Sequence, residues 1–295
     1  MSKAASLVRV GLAYLVAFGL AGLWLAAGPD TRWLWLDGLL ADIIATLVVF
    51  AASRLHRNSS FYDAYWSVLP PLLAAYWWWA AAPDVDDARA ALVLLVIVVW
   101  AVRLAVNWAV GFPGLHHEDW RYQLLRERAG RAEALADLFG IHLVPTCQVF
   151  LGMVPVYVAV TRAGHDLGWL DLAAVVVGLG AVLVELVADT QMRRFDARRS
   201  PGAVMDDGLW GWSRHPNYFG EIGFWASLAL FGIAASPSEW WWQPVGVVAM
   251  LAMFLGASIP MMERRSLERR PAYAEVVARV PMLVPRPPLL RGRRS

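Results

Sequence analysis

The run Asp207-Gly-Leu-Trp-Gly-Trp-Ser-Arg-His-Pro-Asn-Tyr-Phe-Gly-Glu-Ile-Gly-Phe-Trp225 gathers Arg214, His215, Asn217, Tyr218 and Glu221 within eight residues, at the mouth of a segment that continues apolar. Charged and hydrogen-bonding groups beside a membrane are costly unless a ligand or a partner meets them. Pro216 lacks an N–H and suits the first position of a helix, so a helix is expected to begin there. The free N–H groups of that turn and the helix dipole favour an anion, and Arg214 adds a planar, bidentate donor. Asn217 and Glu221 are four residues apart and share a helix face. Tyr218 lies beside them, and Gly220 removes a side chain where a flat ligand could approach the backbone. Singly, each has a structural reading, Tyr218 as an interface anchor and Glu221 as the partner of an arginine on another helix. Together they read as a binding site.

A second cluster closes Val184-Glu-Leu-Val-Ala-Asp-Thr-Gln-Met-Arg-Arg-Phe-Asp-Ala-Arg-Arg199. Glu185 and Asp189 stand one helical turn apart, with Gln191 just beyond. Carboxylates near a membrane need an arginine, a ligand hydroxyl or a proton. Arg193, Arg194, Arg198 and Arg199 suit phosphate groups, and they suit a positive-inside anchor as well. Arg103 and Asn107 are four apart on an earlier segment, and Asp63 or Glu221 is the expected partner of Arg103. Asp63 itself lies in Phe61-Tyr-Asp-Ala-Tyr-Trp66, as either a substrate-facing acid or a structural partner. Glu118-Asp-Trp-Arg-Tyr-Gln123 opens a polar stretch over 111–140, with Arg121 to Asp137 at helical spacing. That stretch reads as an amphipathic helix on the membrane surface, with a ligand-capping loop as the alternative.

Other chemistries lack their residues. There is no Gly-x-Gly-x-x-Gly after a strand and no Walker sequence, so a dinucleotide is not held in a Rossmann or P-loop manner. His116-His117 is an isolated pair, no His-Glu-x-x-His occurs, and no metal site is expected. The single Cys147 excludes an intramolecular disulfide and a cysteine-based zinc cluster. It lies in an apolar run and is expected to be a small packing residue.

The elements that position these residues are membrane helices. Hydrophobic residues make up 59% of the 295 and charged residues 17%, with a mean hydropathy of +0.48. A soluble domain is nearer half apolar and a quarter charged. The first apolar run has no small-residue cleavage site before a polar mature domain, so it is expected to stay as a helix. Segments of about 20 apolar residues fall near 7–27, 35–53, 62–82, 89–110, 142–162, 169–192, 217–235 and 240–261. Asp37, Asp42, Asp63 and Pro70-Pro71 interrupt the second and third, and seven spans fit if one is half-inserted. The fold class is therefore an all-α integral membrane protein, a bundle of about seven to eight transmembrane helices in a single membrane domain over 1–295.

Basic residues alternate between connections. Lys3, Arg9, Arg54, Arg57, Arg121, Arg126, Arg128, Arg131, Arg193–Arg199, Arg214 and Arg264–Arg270 fall on one side. The connections Pro83-Asp-Val-Asp-Asp87, Gly164-His-Asp166 and Ser236-Pro-Ser-Glu239 fall on the other. The positive-inside rule then places both termini in the cytoplasm. Trp33, Trp35, Trp77, Trp78, Trp79, Trp240, Trp241 and Trp242 form an expected aromatic belt at the opposite interface. The tail from Pro285 to Ser295, rich in proline and arginine, is expected to be disordered against anionic lipid.

The stretch Gly208-Leu-Trp-Gly-Trp-Ser-Arg-His-Pro-Asn-Tyr-Phe-Gly-Glu221 resembles the signature of bacterial membrane proteins related to steroid 5α-reductase, which share the C-terminal domain of the 3-oxo-5α-steroid 4-dehydrogenases. Ala188-Asp-Thr-Gln191, the Glu118-Asp-Trp-Arg-Tyr122 loop and Arg270-Pro-Ala-Tyr273 with Val280-Pro-Met-Leu-Val-Pro285 resemble that group too. The likeness covers roughly 60–285 and is strongest from 185 onward. It implies N-terminal helices over 1–60, a reductase-like helical core over 61–285, a basic tail over 286–295, and a multi-pass protein of a bacterial inner membrane. It also implies an NADPH-dependent reductase whose cofactor lies between helices. Asn217 and Glu221 would hold the nicotinamide end and Asp189 the adenosine or ribose. One of Arg193, Arg194 and Arg198 would take phosphate, with Arg103, Tyr122, Arg214, His215 and Tyr218 completing the set. The chain departs from the steroid enzymes at Trp100, which stands where they carry a tyrosine, and Asp63 is a loose match for their early acid.

The resulting expectation is reduction of an activated carbon–carbon double bond in a lipophilic substrate, a steroid-like or isoprenoid enone. Asp63, or a tyrosine such as Tyr62 or Tyr65, would be the proton donor, and Glu221 would act beside the cofactor. The expected partners are that substrate and membrane lipid, with no nucleic acid, in a monomer. The rival is an S-adenosylmethionine-dependent membrane methyltransferase of the isoprenylcysteine carboxyl methyltransferase type. Arg214 to Gly220 matches its Arg-His-Pro-x-Tyr-x-Gly turn, although Met262-Glu-Arg-Arg-Ser-Leu-Glu268 lacks its usual Glu-Glu pair. A third class, a non-catalytic membrane scaffold, requires Glu185, Asp189 and Glu221 to pair internally around no polar cavity.

Overall fold

Apolar stretches of this length satisfy their backbone only by coiling, because the bilayer interior offers no water to N–H and C=O groups. The computed structural model describes residues 2–81, 86–162 and 165–287. Among these residues all regular secondary structure is helical, with no strand. The α-helices are α1 (Lys3–Ala27), α2 (Leu34–His56), α3 (Tyr65–Ala81), α4 (Asp87–Gly111), α5 (Trp120–Ala129), α6 (Glu133–Ala136), α7 (Val144–Thr161), α8 (Trp169–Asp196), α9 (Pro216–Ala235), α10 (Val245–Met253), α11 (Ile259–Arg269) and α12 (Tyr273–Arg279). Short π-helical turns join α6 to α7 at Asp137–Leu143 and α10 to α11 at Phe254–Ser258.

Seven of the described helical runs are long and apolar enough to cross a membrane. The eighth expected span, 62–82, is α3, which has 17 residues and carries Pro70 and Pro71 inside it. At about 1.5 Å per residue, α3 falls short of the hydrocarbon thickness of about 30 Å. It lies against α4 and α7 and buries Leu69, Leu73, Ala74 and Trp77.

One core joins α3, α4, α7, α8 and α9 around Trp77, Trp100, Met153, Phe224 and Trp225. A second joins α1 and α2 through small residues, Ala17 and Ala21 with Ala41 and Ala45. The most extensive helix pair is α8 with α9. Gly220 makes that approach possible. A Cβ there would stand 2.9 Å from the carbonyl oxygen of Ala181 and collide with the Glu185 side chain. Small residues at a membrane helix crossing admit this kind of backbone contact. The space expected beside Gly220 for a flat ligand is therefore filled by α8.

The basic segments meet at one end of the bundle. Lys3 Nζ donates to the carbonyl of Val110 at 2.9 Å, and Arg54 donates to Asp137 at 3.0 Å. Arg214 N donates to the carbonyl of Pro281 at 2.9 Å. Trp33, Trp35, Trp79, Trp240 and Trp241 are exposed at the opposite end. Trp77 departs from the expected belt. It is fully buried, and its indole N–H reaches the carbonyl of Leu34 at 3.3 Å. Cys147 also departs from expectation, since it is exposed on α7. Residues 82–85 and 163–164 of the acidic connections, and 288–295 of the tail, lie outside the described residues.

Candidate functional site

A cavity of about 750 Å³ opens among α3, α4, α5, α7, α8, α9 and the α10–α11 run, toward the end where the basic segments meet. This is within the roughly 300–1,000 Å³ typical of small-molecule sites. The start of α9 supplies Asn217, Tyr218 and Glu221, α4 supplies Arg103 and Asn107, α8 supplies Glu185 and Asp189, and the turn before α3 supplies Tyr62 and Asp63. Trp66, Trp108, Met250, Met253, Phe254 and Met261 give the cavity an apolar side.

The polar groups are held firmly. Arg103 lies between two carboxylates of α8, donating to Asp189 Oδ2 at 2.8 Å and to Glu185 Oε2. Asn107 donates to the same Asp189 oxygen at 3.1 Å and accepts from Arg193. Glu221 is held by two indoles, Trp225 Nε1 at 2.9 Å and Trp100 Nε1 at 3.2 Å. Trp100 thus positions Glu221 rather than facing a substrate. Arg103 pairs with neither Asp63 nor Glu221, its two expected partners. Among the described residues two buried atoms of this group, Arg103 Nε and Glu185 Oε1, have no hydrogen-bond partner. Such atoms are rare in a native fold.

Asp63 accepts from Tyr122 Oη at 2.6 Å and lies 3.4 Å from Trp108 Nε1. Burial raises its carboxyl above the ordinary range, against the opposing hydrogen bonds of Tyr122, Ser60 and Trp108. The polar stretch after α4 is a cap on the cavity rather than a free surface helix. From α5 it contributes Arg121, Tyr122, Leu124, Leu125 and Arg128 to the wall. Arg126 fastens the cap to Glu118, Ser59 and Asp137, and Arg265 of α11 stacks 3.7 Å over the Trp120 ring. Arg121 is paired twice with Asp119, at 2.9 Å through each contact. Burial raises the Asp119 carboxyl and this pairing outweighs it, so Asp119 sits below its ordinary range. Among the described residues Arg128 has no carboxylate within salt-bridge distance.

Of the residues singled out in the sequence, Asp63, Arg103, Tyr122, Asp189, Asn217, Tyr218 and Glu221 line the cavity, and Tyr65, Arg193, Arg194, Arg198, Arg214 and His215 do not. Arg214 turns the other way. Its guanidinium pairs with Glu263 at 2.6 Å and donates to the carbonyls of Val277 and Val280 at 3.0 and 2.7 Å. His215 Nε2 stands 3.1 Å from the same Glu263 oxygen. Burial lowers the His215 imidazole below its ordinary range, with Glu263 opposing. The Arg-His pair therefore ties the C-terminal segment under α9. Tyr65 is fully buried, with its hydroxyl on Asp42. Arg193 serves Asn107 and Thr190 at the rim.

Asp119, Arg121 and Arg128 were not singled out in the sequence. Their signal was the helical spacing of Arg121, Tyr122, Leu125 and Arg128, which puts all four on one face of α5.

No solved structure matches this chain. A protein of Schizosaccharomyces pombe (strain 972 / ATCC 24843), described as "Uncharacterized protein C594.04c", is 26% identical over 273 residues, covering 84% of this chain and 79% of its own length. Residues 49–280, which hold every cavity-lining residue, match a family described as "Protein of unknown function (DUF1295)", and the chain belongs to that family.

Proposed function

We propose that the protein is an NADPH-dependent reductase of an activated carbon–carbon double bond in a lipophilic substrate, working from the inner face of a bacterial plasma membrane. One observation carries the reading. A single cavity unites Asn217, Tyr218 and Glu221 with Arg103 and Asp189, and sets Tyr62 and Asp63 beside an aromatic and methionine wall.

The residues suit the cofactor at its polar end. The Asn217 amide lies on the cavity wall and makes no hydrogen bond to protein among the described residues, so it offers a ligand amide or hydroxyl a free donor and acceptor. Asn217 and Glu221 would hold the nicotinamide end, and Asp189 with Asn107 the ribose hydroxyls. Phosphates would meet Arg128 of the cap, which has no carboxylate within salt-bridge distance among the described residues, rather than Arg214 or Arg121, which are committed to Glu263 and Asp119. When bound, the nicotinamide supplies hydride. The chain's own residues orient the substrate and handle the proton. The half-buried Asp63 carboxyl, kept neutral, can hydrogen-bond a substrate carbonyl and stabilise negative charge that develops on it. The apolar wall and the α5 cap exclude water.

A second reading has its own supporting observation. The lining holds five carboxyl groups and three guanidiniums, an excess of acid that suits the sulfonium cation of S-adenosylmethionine. Thermal unfolding of the detergent-purified protein separates the two. A ligand bound by the folded state at 100 times its Kd stabilises by about 2.7 kcal/mol. Stabilisation by NADPH and not by S-adenosylmethionine is the expected result, and the reverse pattern refutes the reductase.

A further inference from the structure

Behind the cavity lies a line of hydroxyls that the reading above does not use. Asp42, within α2, is a fully buried carboxyl with no cation in salt-bridge distance among the described residues. Among the described residues its side chain meets only Tyr65 Oη at 2.8 Å and Thr46 Oγ1 at 3.4 Å, both through Oδ1. Its Oδ2 has no partner. Thr46 Oγ1 also stands 3.3 Å from Tyr65 Oη and 2.9 Å from Thr146 Oγ1 on α7. Thr146 Oγ1 stands 2.8 Å from Tyr62 Oη. Tyr62 is the last member of the line and the only one that lines the cavity. All five side chains are buried.

Three features make this more than packing. A carboxylate without a countercharge in a membrane interior is too costly to keep, so the group carries a proton there. Every link is a hydroxyl, which donates and accepts at once. Tyr65 Oη also lies 3.1 Å from the backbone carbonyl of Asp42, so it can donate to that carbonyl while accepting from the carboxyl. The line is continuous from Asp42 to the cavity wall, with no step above 3.4 Å.

We infer that Asp42, Tyr65, Thr46, Thr146 and Tyr62 form a proton relay that stores one proton behind the cavity and delivers it through the Tyr62 phenol. The inference rests on the reductase reading for the use of that proton. Hydride delivered to the β-carbon of the enone would have to be matched by one proton at the α-carbon, which the chain's own residues supply. The electron pair of the double bond moves toward the carbonyl held by Asp63, and the α-carbon then takes the Tyr62 phenol proton. Tyr62 regains a proton from Thr146, Thr146 from Thr46, and Thr46 from Asp42 directly or through Tyr65. Asp42 is left as a short-lived carboxylate hydrogen-bonded by Tyr65 and Thr46, and its cost without a countercharge drives its reprotonation. After product leaves, water in the cavity returns one proton along the same line. The turnover thus consumes one hydride and one proton from water. Asp42, Thr46, Tyr65 and Thr146 are positioning residues in this scheme, and Tyr62 is the catalytic one.

The test reads proton movement without cofactor. Infrared spectra of the detergent-purified full chain are followed after transfer to D2O. The carbonyl stretch of the protonated Asp42 carboxyl is assigned by its loss in Asp42→Asn and independently by carbon-13 labelling of aspartate. In the wild type this band shifts as the carboxyl exchanges its proton through Tyr62. Thr146→Val keeps the side-chain shape and removes the bridging hydroxyl, so exchange should slow at least tenfold. Tyr62→Phe should slow it likewise, and Thr146→Ser should restore it. Exchange at the wild-type rate in Thr146→Val overturns the relay, as does the absence of any protonated-carboxyl band assigned to Asp42. NADPH affinity is measured on the same samples. A wild type that exchanges through Thr146 but does not bind NADPH keeps the relay and removes the reductase. A wild type that binds NADPH while Thr146→Val exchanges normally does the reverse.

Discussion

Asn217 offers the cleanest separation of binding from folding. It stands in the first turn of α9, half-buried, on the cavity wall. Among the described residues its amide makes no hydrogen bond to protein. Asn217→Ala therefore strands no protein group, and stability should stay within about 0.5 kcal/mol of the wild type. If the amide holds the nicotinamide end, its removal leaves a ligand polar group unpaired, at a cost of about 1–3 kcal/mol. At about 1.4 kcal/mol per tenfold, the Kd for NADPH rises roughly 5- to 150-fold. Arg214→Ala should behave in the opposite way. Its guanidinium anchors Glu263 and two carbonyls of the C-terminal segment, so its loss should cost about 1.5–3 kcal/mol of stability and leave the Kd of the folded protein unchanged. Fluorescence titration with NADPH and thermal unfolding on the same detergent samples measure both quantities. An unchanged Kd in Asn217→Ala, or a raised Kd with intact stability in Arg214→Ala, refutes the assignment of the two ends of this motif.

Further outcomes follow from the same geometry. Arg103→Met leaves the buried Glu185 and the half-buried Asp189 without their shared cation and should destabilise by about 3–5 kcal/mol, with part of the loss recovered by adding Glu185→Gln, both read by thermal unfolding. Gly220→Val sets a branched side chain against Ala181 and Glu185 of α8 and should cost at least about 1–3 kcal/mol through overpacking; wild-type stability would mean that α8 and α9 are not in backbone contact. Asp63 has a folded pKa raised by burial, so its neutral form, and the stability it contributes, are present at low pH and lost as pH rises through that raised value. NADPH oxidation driven by a lipophilic enone should fall along the same limb, and Asp63→Asn should flatten it. A limb unchanged in Asp63→Asn would remove Asp63 from the reaction.

The scaffold class makes a claim about placement. It required Glu185, Asp189 and Glu221 to pair around no polar cavity. Glu185 and Asp189 do share Arg103, yet all three acids line a cavity, which counts against that class.

Helix positions were legible in the chain because a bilayer imposes one length and one polarity on whatever crosses it. The starts of α8 and α9 and the ends of α1 and α9 fall within a residue of the apolar boundaries. The shared face of Asn217 and Glu221, and of Glu185 and Asp189, follows from helical periodicity alone. Local sequence could not decide direction across helices. Arg214 had the charge and the place for a phosphate, but Glu263, 49 residues later, had the shorter reach. Asp42 read as an interruption in a span, and it became one end of a hydroxyl line only because Thr146, a hundred residues beyond Thr46, packs against it. The chain specified which segments are helices and which turns carry charge, since those are properties of neighbours along the backbone. The partner of each charge, the wall made by α5 and the line behind Tyr62 were decided by packing, because a side chain's energy in a membrane depends on what stands within about 3 Å of it in space.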